Sequence, residues 1–176
     1  MRDLIPAHIS NRHELNEAEQ ENILRGQDWA FSRRRDLLSE KYIRDLHKRI
    51  LGDVWRWAGK FRTSERNLGH DHWEIPTALR QLLDDTKVWI DLSSYPPDEI
   101  AIRFHHRLVQ IHPFPNGNGR HARLIADLLV MQLGGERFSW GSGQLQDPSE
   151  VRERYIAALH DADHHHYLPL LTFGRS

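Results

Sequence analysis

Apolar residues recur at helical spacing along most of this chain. Tyr42, Ile43, Leu46, Ile50 and Leu51 fall on one face of a helix expected from about Ser39 to Val54, with Gly59 marking the exit. Leu15, Ala18 and Ile23 mark an earlier helix, capped by Asn11 or Asn16 and ended by Gly26 after about Leu24. Pro76 opens a helix that runs to about Leu92. After the Pro96-Pro97 break, Pro97, Asp98 and Glu99 suit the first turn of another helix, which carries Ile100, Ala101, Phe104, Leu108 and Ile111. A further helix runs from about Gly119 to Leu133 and stops at Gly134-Gly135. Pro148 or Ser149 opens the last, which ends near His160 or His164. The pattern predicts a mainly α fold.

Residues 60–75 break the helical period. Phe61-Arg62-Thr63-Ser64 and His72-Trp73-Glu74-Ile75 flank the turn-rich Arg66-Asn67-Leu68-Gly69-His70-Asp71, which reads as a small β-hairpin. The 176 residues suffice for one globular unit, with residues 1–38 as an N-terminal extension and 39–176 as the main domain.

Charge and composition then narrow the function. The formal net charge of −1 gives no global basic field for nucleic acid, so no nucleic-acid partner is expected. Cysteine is absent, which excludes a disulfide framework and thiolate metal sites and suits a cytoplasmic protein. No apolar run has the length of a signal peptide core or a membrane span, so no membrane association is expected. The run His164-His165-His166 reads as a solvated helix end, because adjacent helical side chains diverge.

The densest chemistry lies at 112–123, His-Pro-Phe-Pro-Asn-Gly-Asn-Gly-Arg-His-Ala-Arg. A loop with two glycines runs into a helix N-terminus, where amides, the helix dipole and guanidinium groups converge. Such a nest binds phosphate. Gly117, Asn118 and Gly119 supply its amides, and Arg120 and Arg123, one turn apart, are expected to face the same side. His112 at its rim points to transfer chemistry, since a neutral imidazole accepts a proton from a hydroxyl near pH 7.

This segment resembles the Fic-domain signature, His-Pro-Phe-x-(Asp/Glu)-Gly-Asn-Gly-Arg-x-x-Arg, at every fixed position but Asn116. Trp57-Ala58-Gly59-x-x-Arg62 resembles the stretch before the family's target-docking flap, and from about Ser39 to Leu159 the order of elements is similar to the Fic core. The resemblance implies a helical bundle with a hairpin flap and a protein adenylyltransferase, which moves AMP from ATP to a Ser, Thr or Tyr hydroxyl of a target protein. It makes His112 the general base and gives Gly117, Asn118 and Gly119 an anion-hole role. It gives the β-phosphate to Arg120 and the γ-phosphate to Arg123. Arg62, Trp73 and Ile75 fall on the flap, where the target pairs by main-chain hydrogen bonds.

The family's acidic residue binds Mg²⁺, and Asn116 retains only a neutral carbonyl oxygen there. This leaves open a weaker metal site, a Fic-fold kinase or other nucleotidyl or phospho-transferase, and a protein that holds nucleotide with little catalysis. Many Fic proteins carry an inhibitory helix with (Ser/Thr)-x-x-x-Glu-(Gly/Asn), whose glutamate pairs with the second signature arginine. Glu21-Asn22 matches its end, although position 17 is Glu, so Glu21 is a candidate inhibitory partner of Arg123. A separate inhibitor protein is the other route to such control.

Overall fold

The computed structural model describes residues 3–142 and 148–176, and it forms seven helices there. They are α1 (Arg12–Phe31), α2 (Glu40–Leu51), α3 (Ile75–Asp91), α4 (Pro97–Ile111), α5 (Asn118–Gln132), α6 (Pro148–Asp163) and α7 (Leu168–Arg175). Asn11 caps α1 by accepting from the Glu14 amide, and Ser39 caps α2 by accepting from the Tyr42 amide. The central helix is α5. Leu124, Ile125, Ala126, Leu128, Leu129 and Val130 leave it apolar and buried around most of its circumference. It packs along α4, while α1 lies along α2.

Gly26 does not end α1. The helix continues to Phe31, and Gly26 is buried where α1 crosses α2. A Cβ there would stand 2.6 Å from Ile50 Cγ2 and 2.9 Å from the Arg49 carbonyl, so the glycine permits close approach of the two backbones. The short α7 has no counterpart in the sequence reading, because eight residues beginning Leu-Pro-Leu-Leu show no legible period. Leu170 and Phe173 nonetheless bury it against the bundle.

The expected β-hairpin at 61–75 is also absent. The segment is an irregular, largely exposed loop, and the one β-bridge among the described residues joins Leu4 to Trp55. Arg62 instead draws the Ser64 and His70 carbonyls onto its guanidinium, and Ile75 starts α3 where the return strand was expected. Ile5 N–H to Val54 O at 2.8 Å and Arg56 N–H to Asp3 O at 2.9 Å strap the N-terminal segment beside this loop. His164, His165 and His166 are exposed after α6, as a solvated helix end requires. No helix among the described residues is long and apolar enough to cross a membrane.

Candidate active site

The site is the turn between α4 and α5. His112 caps α4 in the left-handed region, with φ 52° and ψ 58°, and its N–H donates to Leu108 O at 3.2 Å. That conformation costs about 1 kcal/mol or more for a residue other than glycine, so neighbours must hold it. Arg62 does so. Its Nε donates to His112 O at 2.7 Å, Nη1 donates to Ser64 O at 3.1 Å, and Nη2 donates to His70 O. The Arg62 side chain is 1% exposed and sits against the C-terminal carbonyls of α4, where the helix dipole favours a cation. Arg62 therefore pins the signature turn to the 60–74 loop and is not available to a target. Gly69, at φ +97°, lets that loop rest on the histidine, since a Cβ there would meet His112 Cβ at 2.6 Å.

His112 is half-buried and lines a cavity of about 910 Å³. Burial lowers its pKa from the ordinary histidine value, and the Arg62 and Arg66 charges add to that, while the Val109 carbonyl pulls the other way. The imidazole is thus neutral, as a base must be. Gly119 and Arg123 line the same cavity. Gly117, at φ +77°, is the N-cap of α5 without a side-chain cap, and the amides of 118–120 make no backbone hydrogen bond. Three N–H donors are therefore free at a helix N-terminus beside His112.

The Asn118 side chain has a different role from the expected anion hole. Its Oδ1 accepts from Phe114 N–H at 3.0 Å and its Nδ2 donates to Phe114 O at 2.8 Å, closing the turn in the buried interior. Only its backbone amide faces the nest. The two arginines also diverge. Arg123 enters the cavity with its guanidinium carbon 5.3 Å from the centroid of the Tyr155 ring. Arg120 turns toward α1 instead, where its Nη1 lies 3.1 Å from Glu19 Oε2. Glu19 also accepts from Trp55 Nε1 at 2.7 Å. Glu21, the expected partner of Arg123, pairs with Arg25 one turn further along α1.

Asn116 is exposed, and its Oδ1 accepts from the Gly117 amide at 2.7 Å. Among the described residues no cluster of three or more His, Cys, Asp or Glu could hold a metal ion. The residues present do not fit a protein-held Mg²⁺, which prefers carboxylate oxygens alongside substrate phosphates.

Ile75 is 0% exposed and belongs to the core, so it cannot touch a target. Trp73 is 65% exposed in the turn before α3 and stands edge-on to His72. Of the three flap candidates it alone presents its side chain to solvent.

Two supporting residues escaped the sequence reading. His47 of α2 stacks on Phe114 with ring centroids 3.7 Å apart. Gly59 N–H donates to His47 Nδ1 at 2.9 Å, which leaves the proton on Nε2 to donate to Asn116 O at 3.0 Å. Burial pushes its pKa down to about 4, so this buried latch on the signature turn is neutral. Tyr155 of α6 supplies the aromatic face under Arg123, and its hydroxyl is 2.9 Å from His105 Nε2. The spacing of Ile43, Leu46 and His47 is the one signal that could have put His47 on the buried face of α2, but only the fold shows what it holds. Tyr155 carries no signal in the sequence.

The Fic/DOC family profile matches residues 37–130. Protein adenylyltransferase fic-1 of Caenorhabditis elegans is 33% identical over 136 residues, which is 75% of this chain and 25% of that protein. Protein adenylyltransferase Fic of Nematostella vectensis is 32% identical over 136 residues, 74% of this chain and 30% of that one. The chain thus spans about a quarter of the length of the curated relatives it matches. Among solved structures, Fic-1 from C. elegans is similar with a TM-score of 0.67 at 26% identity, over 98% of this chain and 50% of that one. BepC from Bartonella tribocorum, solved with bound AMPPNP, shares the fold at a TM-score of 0.72 and 17% identity, over 95% of this chain and 87% of that one.

Proposed function

Because the chain belongs to the Fic/DOC family, we propose that it transfers AMP from ATP to a Ser, Thr or Tyr hydroxyl of a target protein and releases pyrophosphate. The observation that carries this reading is the convergence of His112, Gly119 and Arg123 on one cavity beside the free amides of 118–120. The triphosphate lies across these amides, with Arg123 neutralising its charge. The target hydroxyl approaches the α-phosphorus, and His112 takes its proton as the new O–P bond forms. The bond to the β-phosphate oxygen breaks in line with the attack, and pyrophosphate leaves. Charge developing on the phosphoryl oxygens is met by donors already in place.

The target docks along the loop at 60–74. The N–H groups of 63–67 make no hydrogen bond among the described residues, and of their carbonyls only Ser64 O is engaged, by Arg62, which leaves the others to pair with an extended segment. Trp73 offers an exposed aromatic face at the other end of the loop. Neutral Asn116 favours one rival, a transfer in which the nucleotide sits differently and the γ-phosphoryl group moves instead.

Intact-mass analysis of the protein and of candidate targets after incubation with ATP tests the reading. A gain equal to AMP supports it, a gain equal to phosphate selects the rival, and no gain leaves a nucleotide-binding protein.

A further inference from the structure

Two grooves meet at the signature turn, separated by the loop at 60–74. Leu68, Gly69 and His70 face the cavity that holds His112 and Arg123. Ser64 and Arg66 face a second groove of about 680 Å³, which reaches Pro115 and Asn116 on the turn's opposite side. Besides the buried Arg62, the second groove carries three cations: Arg56, Lys60 and Arg66. All three are exposed, and no carboxylate pairs with any of them among the described residues. Asp3 is the one acid on the described wall. Elsewhere on this surface cations are commonly paired, as Arg25 is with Asp53, Arg103 with Glu99 and Arg175 with Asp98. These three unpaired cations thus lie along the edge whose main-chain groups at 63–67, apart from the Ser64 carbonyl, are unengaged.

We propose that this groove docks an acidic segment of the target protein, so that Asp and Glu residues flanking the acceptor hydroxyl pair with Arg56, Lys60 and Arg66. The inference rests on the target-modifying reading above and narrows its substrate class. The two contributions divide the task. Main-chain pairing along 63–67 is indifferent to sequence and sets the direction and register of the target strand. The three cations supply the preference, because an acidic strand meets complementary potential while a basic one meets repulsion. Chain neutrality as a whole does not conflict with this, since the cations are local and acidic residues elsewhere bring the formal net charge of the whole chain to −1.

The test uses the full chain and fluorescein-labelled peptides with one central Ser or Tyr flanked by Asp/Glu, by Ala/Gln or by Lys. Binding is read by anisotropy, and modification is read by mass in the presence of ATP. The acidic peptides should bind about tenfold more tightly than the neutral ones, with the advantage shrinking at high salt. Lys60→Glu with Arg66→Glu should abolish that preference while the rise in melting temperature produced by ATP stays unchanged, which shows that the variant is folded. Equal binding of all three peptide sets would overturn the proposal, as would tighter binding of a labelled single-stranded oligonucleotide than of the acidic peptide. Binding needs no turnover. A charge preference without any transfer would therefore count against adenylyl transfer and leave the docking proposal standing.

Discussion

Arg120 and Glu19 are 101 residues apart in sequence, and their side chains meet at 3.1 Å, joining α5 to α1. The second Glu19 oxygen is fixed by Trp55, so the carboxylate is oriented and not merely nearby. A signature arginine is thereby held away from the cavity that contains Arg123. Glu19→Gln should free it and raise ATP affinity and self-modification by roughly threefold to tenfold, in line with a partly exposed charge pair. Glu21→Gly should leave both unchanged, because Glu21 is engaged by Arg25. Arg120→Ala should cancel the gain from Glu19→Gln. Calorimetric titration of ATP into the four proteins checks this.

His47 touches no expected position of the nucleotide, yet it holds the turn that does. His47→Ala removes two hydrogen bonds and a stacked ring from the interior, and it should cost about 2–4 kcal/mol of stability by denaturant unfolding. His47, His105 and His121 are all buried and neutral, with pKa values pushed down to about 4, about 3 and about 3. Their unfolded forms take up protons below the ordinary value of 6.5 while the folded forms do not. Stability should therefore fall as pH drops from about 6.5 toward 4. The slope of unfolding free energy against pH near 5.5 should report uptake of about three protons or more, since burial also lowers the His106 and His112 pKa values.

Tyr155 holds Arg123 by its ring face, which orients the guanidinium without occupying its N–H donors. Tyr155→Leu should raise the KM for ATP roughly tenfold with little change in kcat. Tyr155→Phe keeps the ring and should restore the KM. It should cost only about 1 kcal/mol of stability, from the lost bond to His105. A KM for Tyr155→Phe as poor as that for Tyr155→Leu would show that the hydroxyl, not the ring, matters.

Asn116→Asp supplies the missing carboxylate on an exposed loop position. It should sharpen the dependence of transfer on Mg²⁺ and raise the rate at limiting Mg²⁺. Rates measured across a magnesium titration for both proteins check this. An unchanged titration would show that the nucleotide does not present its phosphates to position 116.

The geometry of the signature turn was legible in the sequence because its parts are contiguous. His112, the glycines and Arg123 lie within twelve residues, and a loop entering a helix N-terminus dictates where their amides point. What was not legible depends on contacts between distant segments. Arg62 is an exposed type by composition, but it is buried because the carbonyls at the end of α4 attract it, and Ile75 is taken into α3 and not into a return strand. Glu19 and Glu21 are two residues apart on one helix, so they project about 200° apart, and only one can face α5. Which one does is decided by the rotation of α1 on α2, set by the contact of Gly26 with Ile50. His47 and Tyr155 sit on faces that any packed histidine or tyrosine would occupy, and their roles appear only when Phe114 and Arg123 are brought against them.

The most direct test of the account compares label transfer from [α-³²P]ATP and [γ-³²P]ATP, using wild type and His112→Ala. The account predicts protein-bound label from the α-phosphate alone. It also predicts that this label drops at least 10²-fold in His112→Ala while ATP binding is retained, since a general base acts on the incoming hydroxyl and not on the triphosphate. Label from the γ-phosphate, or α-label undiminished in His112→Ala, would contradict it.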